Sequence, residues 1–179
     1  MSTTQELIEL AKNIGFSQAG ALDPKILVFK PEVRAMCAAD KCSKYNKSWM
    51  CPPACGTLED AAEKAAKYHR GILVQVTKKL EDDFDIDGMM EAEADQKKFF
   101  FELVGKIREE YPDCLPMTVG TCQVCSKCTY PDAPCRFPEK AMTSMEAYGL
   151  VVSDVCTKSN IAYYYGPQTM TYTSCILID

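Results

Sequence analysis

The feature that most constrains this chain is the clustering of its thiols. Eight of eleven cysteines fall within residues 37–55 and 122–135, and the chain holds a single histidine, His69. Any metal site built here is therefore made largely of thiolates. The count of eleven is odd, and Met1–Phe16 lacks the basic start and unbroken apolar stretch of an export signal. A disulfide framework is therefore not expected. A cytoplasmic setting is, where clustered cysteines serve metal binding or redox chemistry more often than cross-linking.

The second group reads Cys122-x2-Cys125-x2-Cys128-x6-Cys135. Three thiols at this tight spacing suit one curled loop wrapping a corner of a [4Fe-4S] cube, which needs one thiolate on each iron. Gly120 permits the tight entry to the loop, and Pro134 keeps the approach to Cys135 extended. The pattern departs from the bacterial ferredoxin run, in which three residues separate the last two cysteines and proline follows the fourth. Whether Cys135 closes its own cluster or crosses to another is left open by the spacing. Zinc is the rival, since four thiolates also satisfy a tetrahedral Zn²⁺. Zinc sites, however, more often use two separated C-x2-C knuckles.

The first group, Cys37-x4-Cys42-x8-Cys51-x3-Cys55, is less regular. Pro52 and Pro53 stiffen the turn after Cys51. Cys55 and Gly56 lie just ahead of Thr57-x-x-Asp60, the form of a helix cap, so a group held there would sit near a helix N-terminus. A second cluster, a zinc ion and purely structural thiols all remain open from spacing alone. Trp49 and Tyr45 are expected to pack against this loop and exclude water.

Around these segments the sequence reads as one α/β domain over residues 1–179, with a small mixed sheet, flanking helices and cysteine-rich metal-binding loops. Thr3-x-x-Glu6 opens a helix with Leu7, Ile8, Leu10, Ala11 and Ile14 on one face, stopped by Gly15. A short strand is expected near 17–21, and residues 31–56 read as irregular. An alanine-rich helix from Thr57 ends before Gly71, and Gly71–Thr77 is a buried strand by its β-branched content. A long helix follows over about 89–110, with Pro112 preventing its continuation. Further strands are expected at 115–119 and 171–178, with short helices near 144–148 and 155–160.

Other residues receive ordinary roles. Cys114, Cys156 and Cys175 read as small buried side chains. His69 reads as a helix-dipole contact at the end of the alanine-rich helix. Arg136 reads as cluster-charge compensation or a surface ion pair. The acidic run 81–87 lacks the ligand spacing of a calcium loop, and Tyr163–Tyr165 read as packing around a turn. A net charge of −5 and scattered lysines argue against a nucleic-acid surface. No apolar run is long enough to suggest a membrane span, so neither nucleic acid nor membrane is an expected partner.

The assembled residues resemble a predicted metal-binding family, the domain of unknown function 2284. The likeness rests on Cys37-x4-Cys42-x2-Tyr45-x3-Trp49-x-Cys51-Pro-Pro with Gly56-Thr57-Leu58-Glu59, and on Gly71-Ile72-Leu73-Val74-Gln75. It continues through Gly120-x-Cys122-x2-Cys125-x2-Cys128, Pro134-Cys135-Arg136 and Ser144-Met145-Glu146-Ala147-Tyr148-Gly149. The resemblance implies iron–sulfur or other metal binding, with ligand roles for Cys37, Cys42, Cys51, Cys122, Cys125, Cys128 and Cys135. Cys55 completes the first set by its spacing; without it, that site has three thiolates and an open iron.

Three functions follow as expectations. The first is an electron carrier with two [4Fe-4S] clusters, whose redox partner protein the sequence does not name. The second is an enzyme or metal-delivery protein with an exchangeable iron at the first group. The third is a zinc-stabilised interaction module. Neither a Ser/His/Asp set nor a nucleotide-binding glycine loop is present.

Overall fold

The alternation of side chains along two long strands builds the molecule. The computed structural model describes all 179 residues. Strands β1 (Gln18–Leu22), β2 (Arg70–Lys79), β3 (Leu115–Thr118), β4 (Thr143–Ser144) and β5 (Thr169–Ile178) form one sheet in the order β1-β2-β5-β3-β4. All neighbours are antiparallel except β3 and β4, so the sheet is mixed. Helices α1 (Thr4–Ile14), α2 (Pro31–Ala38), α3 (Leu58–Ala65), α4 (Ile86–Glu110) and α5 (Val152–Lys158) surround it.

The sheet is covered on both faces, which is why Gly71–Thr77 reads as a continuous apolar run. Ile72, Val74, Val76, Ile176 and Ile178 pack with Leu7 and Ala11 of α1 and Phe100, Leu103, Val104 and Ile107 of α4. Their neighbours Leu73, Cys175 and Leu177 face the other way, against Ala61 and Ala65 of α3, Val155 and Cys156 of α5, and Met145 and Leu150. Each large aliphatic side chain so buried contributes roughly 1.5–3 kcal/mol. Gln75, fully buried on the second face, is held by the Tyr165 hydroxyl, which donates to its Oε1 at 2.7 Å, while its own amide donates to the Ala162 carbonyl at 3.0 Å.

The capped helices form as expected. Thr3 and Glu6 close a capping box on α1, Thr57 and Asp60 close one on α3, and Gly15 ends α1 with φ of 132°. Asp85, from the acidic run, caps α4 by accepting from the Gly88 N–H at 2.8 Å.

Three expectations are corrected. Residues 31–56 are not wholly irregular, because α2 occupies Pro31–Ala38. Proline at its first position presets φ and Glu32 suits the first turn, but only Val33 is buried, so no apolar period reveals it. Residues 144–148 are not a helix: Ser144 pairs with Thr118 in the sheet, and its hydroxyl then accepts from the Ala147 N–H at 3.1 Å to cap a turn. Gly149, at φ of 93°, ends that turn. His69 lies beyond α3, and its Nδ1 pairs with Asp179 Oδ1 at 2.5 Å instead of meeting the helix end. No helix is long and apolar enough to cross a membrane.

Candidate metal centre

Apart from Cys37, in the last turn of α2, the clustered cysteines sit on connections between elements, and each group is shaped locally. Cys37 ends α2, Cys42 follows a turn in which Asp40 has φ of 51°, and Cys51 precedes the two prolines. Cys55 donates its N–H to the Cys51 carbonyl at 3.1 Å, which curls the segment back on itself. The turn before Gly149 backs this group: the Cys37 Sγ lies 4.0 Å from the Glu146 carbonyl and the Cys55 Sγ 3.7 Å from that of Ala147. Two N–H groups at the start of α3 are taken by its own cap, that of Thr57 on the Asp60 carboxylate at 2.7 Å and that of Asp60 on the Thr57 hydroxyl at 3.0 Å. The adjacent helix end therefore offers the group less than its sequence position suggests.

The first four thiols lie close enough to influence one another. Burial is the main cause raising the Cys37 thiol, and the Cys42 and Cys55 thiols push in the same direction. Cys51 is pushed up to about 11, chiefly by burial, with Cys42, Cys55 and Cys37 adding to it. Cys55 thus lies within electrostatic reach of Cys37 and Cys51. Arg34, one turn before Cys37 on α2, acts against the rise at both Cys37 and Cys55. Its Nη1 donates to the Gly56 carbonyl at 2.9 Å, while Nε and Nη2 are buried without a partner. Such orphaned donors are costly and suit a site meant for negative charge.

Cys122, Cys125, Cys128 and Cys135 all line one small cavity, together with Ser48 and Trp49 from the first cysteine loop. Gly120 enters this loop at φ of 62°, as its position suggested. Thr129 Oγ1 donates to the Pro134 carbonyl at 2.8 Å, and Arg136 donates to that of Lys127 at 2.9 Å. Arg136 thus clasps the loop's backbone and makes no ion pair. Burial opposes ionisation of Cys128, but the Tyr130, Trp49 and Thr129 N–H groups and the Ser48 hydroxyl together hold its thiol below the ordinary range.

The two loops are joined. The Tyr130 hydroxyl donates to Asn46 Oδ1 at 2.7 Å, and the Trp49 and Tyr130 rings meet edge to face at 4.9 Å. Ser48, only 4% exposed, favours the thiolates of both Cys51 and Cys128, one from each group. Trp49 packs as expected, though its partner is the second loop. All eleven cysteines are free, and no three His, Cys, Asp or Glu side chains converge as tightly as a single ion requires. Cys156 and Cys175 are fully buried in the core, and Cys114 is nearly so.

A larger cavity of about 660 Å³ lies between the groups, with Cys55 on its wall from the first, Cys135 from the second, and Cys114 besides. Sequence reading missed this cavity, Arg34 and Ser48. For Arg34 a signal existed in Pro31-Glu32, which marks a helix start, and in the three-residue step to Cys37 that puts both on one face.

No curated protein and no solved structure matches the chain. The family described as predicted metal-binding protein (DUF2284) matches residues 20–178, from the first strand to the last, and the chain belongs to that family.

Proposed function

We propose that the two cysteine groups hold two [4Fe-4S] clusters and that the protein transfers electrons in the cytoplasm. The observation that carries this reading is the common cavity of Cys122, Cys125, Cys128 and Cys135. It supports Cys135 as the fourth ligand of its own set, closing a loop whose three leading thiols have cluster spacing. Cys37, Cys42, Cys51 and Cys55 would hold the other cluster. When bound, each cluster supplies a reversible one-electron site.

The chain's own residues fit that anionic cargo. Arg34 brings unpartnered donors to the first group. Lysines and arginines outnumber acids within both 37–55 and 122–140, although the whole chain carries −5. The N–H groups and hydroxyl around Cys128 stabilise a thiolate, and hydrogen bonds to ligand sulfur also tune a cluster's potential. Trp49 and Tyr130 cover the joint between the loops and limit water there.

A second reading, an enzyme or metal-delivery protein with an open iron at the first group, is favoured by the position of Cys55 on the wall of the large cavity. Anaerobic purification followed by iron, zinc and acid-labile sulfide counts tests the main reading. About eight iron and eight sulfide per chain support two cubanes. Zinc without sulfide, persisting after anaerobic reconstitution, leaves a zinc-stabilised module. Cys55→Ala then separates the first two readings: loss of one cluster supports full thiolate ligation, and retention of both supports an open iron.

A further inference from the structure

The cavity between the cysteine groups has the size of a ligand site, since small-molecule pockets span about 300–1,000 Å³ and this one measures about 660 Å³. It is not the seat of either cysteine group. Only Cys55 of the first and Cys135 of the second reach its wall, with Cys114 as the third thiol, and no three such groups converge on a metal position. Much of the lining is apolar, from Trp49, Leu115, Pro116 and Met142.

Its charge is cationic. Lys64 of α3 and Arg108 of α4 stand at the wall against one carboxylate, Asp132; Lys64 and Asp132 are exposed and Arg108 is half-buried. Neither cation is paired with a carboxylate. Arg108 donates one N–H to the Glu139 carbonyl, which anchors the guanidinium at the cavity. An exposed lysine and a half-buried arginine beside apolar walls favour a ligand with one negative end and one apolar body. Inorganic phosphate would match the charge and leave the walls wet.

We propose that this cavity binds a small organic carboxylate with an apolar body, its charge held by Lys64 and Arg108. The pocket stands on its own residues; only the statement that such a ligand lies between two redox groups rests on the cluster reading. The ligand would then be a substrate or effector of the electron-transfer chemistry, between the Cys55 and Cys135 walls.

The test is ligand-observed NMR on the anaerobically purified full chain, with iron and sulfide counted on the same sample. The probes are benzoate, 2-naphthoate and octanoate, their primary amides, and inorganic phosphate. Saturable binding of one or more carboxylates is expected, with the matched amide about tenfold weaker or worse, as loss of a charge-assisted bond implies. Lys64→Gln and Arg108→Gln should each weaken binding similarly, and Ala141→Phe, at the cavity wall, should block it. Lys64 is on an exposed helix face, so its variant keeps the test readable if Arg108→Gln unfolds. Equal binding of acid and amide, displacement by phosphate at matched concentration, or no saturable binding of any carboxylate overturns the proposal. Carboxylate binding by a zinc-loaded, sulfide-free protein sinks the cluster reading and leaves the pocket; intact clusters without binding do the reverse.

Discussion

The indole N–H of Trp49, in the first cysteine loop, donates to the carbonyl of Ala133, in the second, at 3.0 Å. With the Tyr130 contacts, this bond makes one body of two segments whose bonded residues lie 84 positions apart. Because Trp49 also gives a backbone N–H to the Cys128 sulfur, the first loop supports a cysteine it does not itself contain.

Trp49→Phe should therefore keep the aromatic packing and lose the indole bond, at about 1 kcal/mol. Trp49→Ala should cost about 3 kcal/mol and loosen both loops together. The check is metal release into a chelator, followed beside chemical denaturation. Coupled release from both groups is expected for Trp49→Ala, and release from the first group alone would contradict the joint.

Arg34 carries two buried donors with no partner, so its effect should change sign with metal loading. Arg34→Met should stabilise the metal-free protein by about 1 kcal/mol, because two unpartnered buried donors are removed at the cost of the single bond to the Gly56 carbonyl. The loaded protein should lose metal from the first group faster, and any cluster there should shift to a lower potential, as a neighbouring cation no longer favours the added electron. Denaturation with and without chelator reads the first effect, and voltammetry the second. Equal destabilisation of both forms would make Arg34 a packing residue.

The parts legible in the sequence were those with a local cause. Thr3/Glu6 and Thr57/Asp60 are short-range cap signals, and both close capping boxes where expected. The strand at Gly71 announced itself because both of its faces are buried, and the cysteine spacing named the loops. What stayed hidden depends on contacts distant in sequence. No spacing rule brings Ser48 beside Cys128, or sets Arg108, on a long helix, across a cavity from Cys55. Helix α2 was missed because it buries one apolar residue. Ser144–Tyr148 deceived because Thr143-x-x-Glu146 mimics a cap, while the Thr143 hydroxyl in fact reaches the Met50 sulfur at 3.6 Å.

Gly149 links the frame to the first group. Its carbonyl accepts from the Lys30 N–H at 2.7 Å just ahead of α2, and its φ is 93°. A Cβ there would lie 2.5 Å from Leu58 Cδ2 and 3.3 Å from the Lys30 carbonyl oxygen. Gly149→Ala should thus destabilise by about 1–3 kcal/mol through backbone strain and weaken metal retention at Cys37 and Cys55, whose neighbours are the Glu146 and Ala147 carbonyls. Urea denaturation of the metal-free protein isolates the strain. An unchanged midpoint would show that the turn relaxes freely.

Glu110 gives the fold a pH dependence separate from the thiols. Its carboxylate accepts from the Ser2 hydroxyl at 2.6 Å and pairs with the N-terminal amine at 3.0 Å. The Ser2 bond, then the amine, hold its pKa down to about 2 from an ordinary 4.5. A depressed carboxylate binds its proton more readily unfolded than folded, so its stabilisation is fully present above 4.5 and fades as pH falls toward 2. The melting temperature of the native protein should therefore exceed that of Glu110→Gln at neutral pH, and the gap should close across that acid window. Taking the difference between the two proteins cancels acid loss of metal, which both share. A gap that stays constant would mean that the Ser2 and amine contacts contribute nothing to the folded state in solution, and acetylating the amine should then be equally silent.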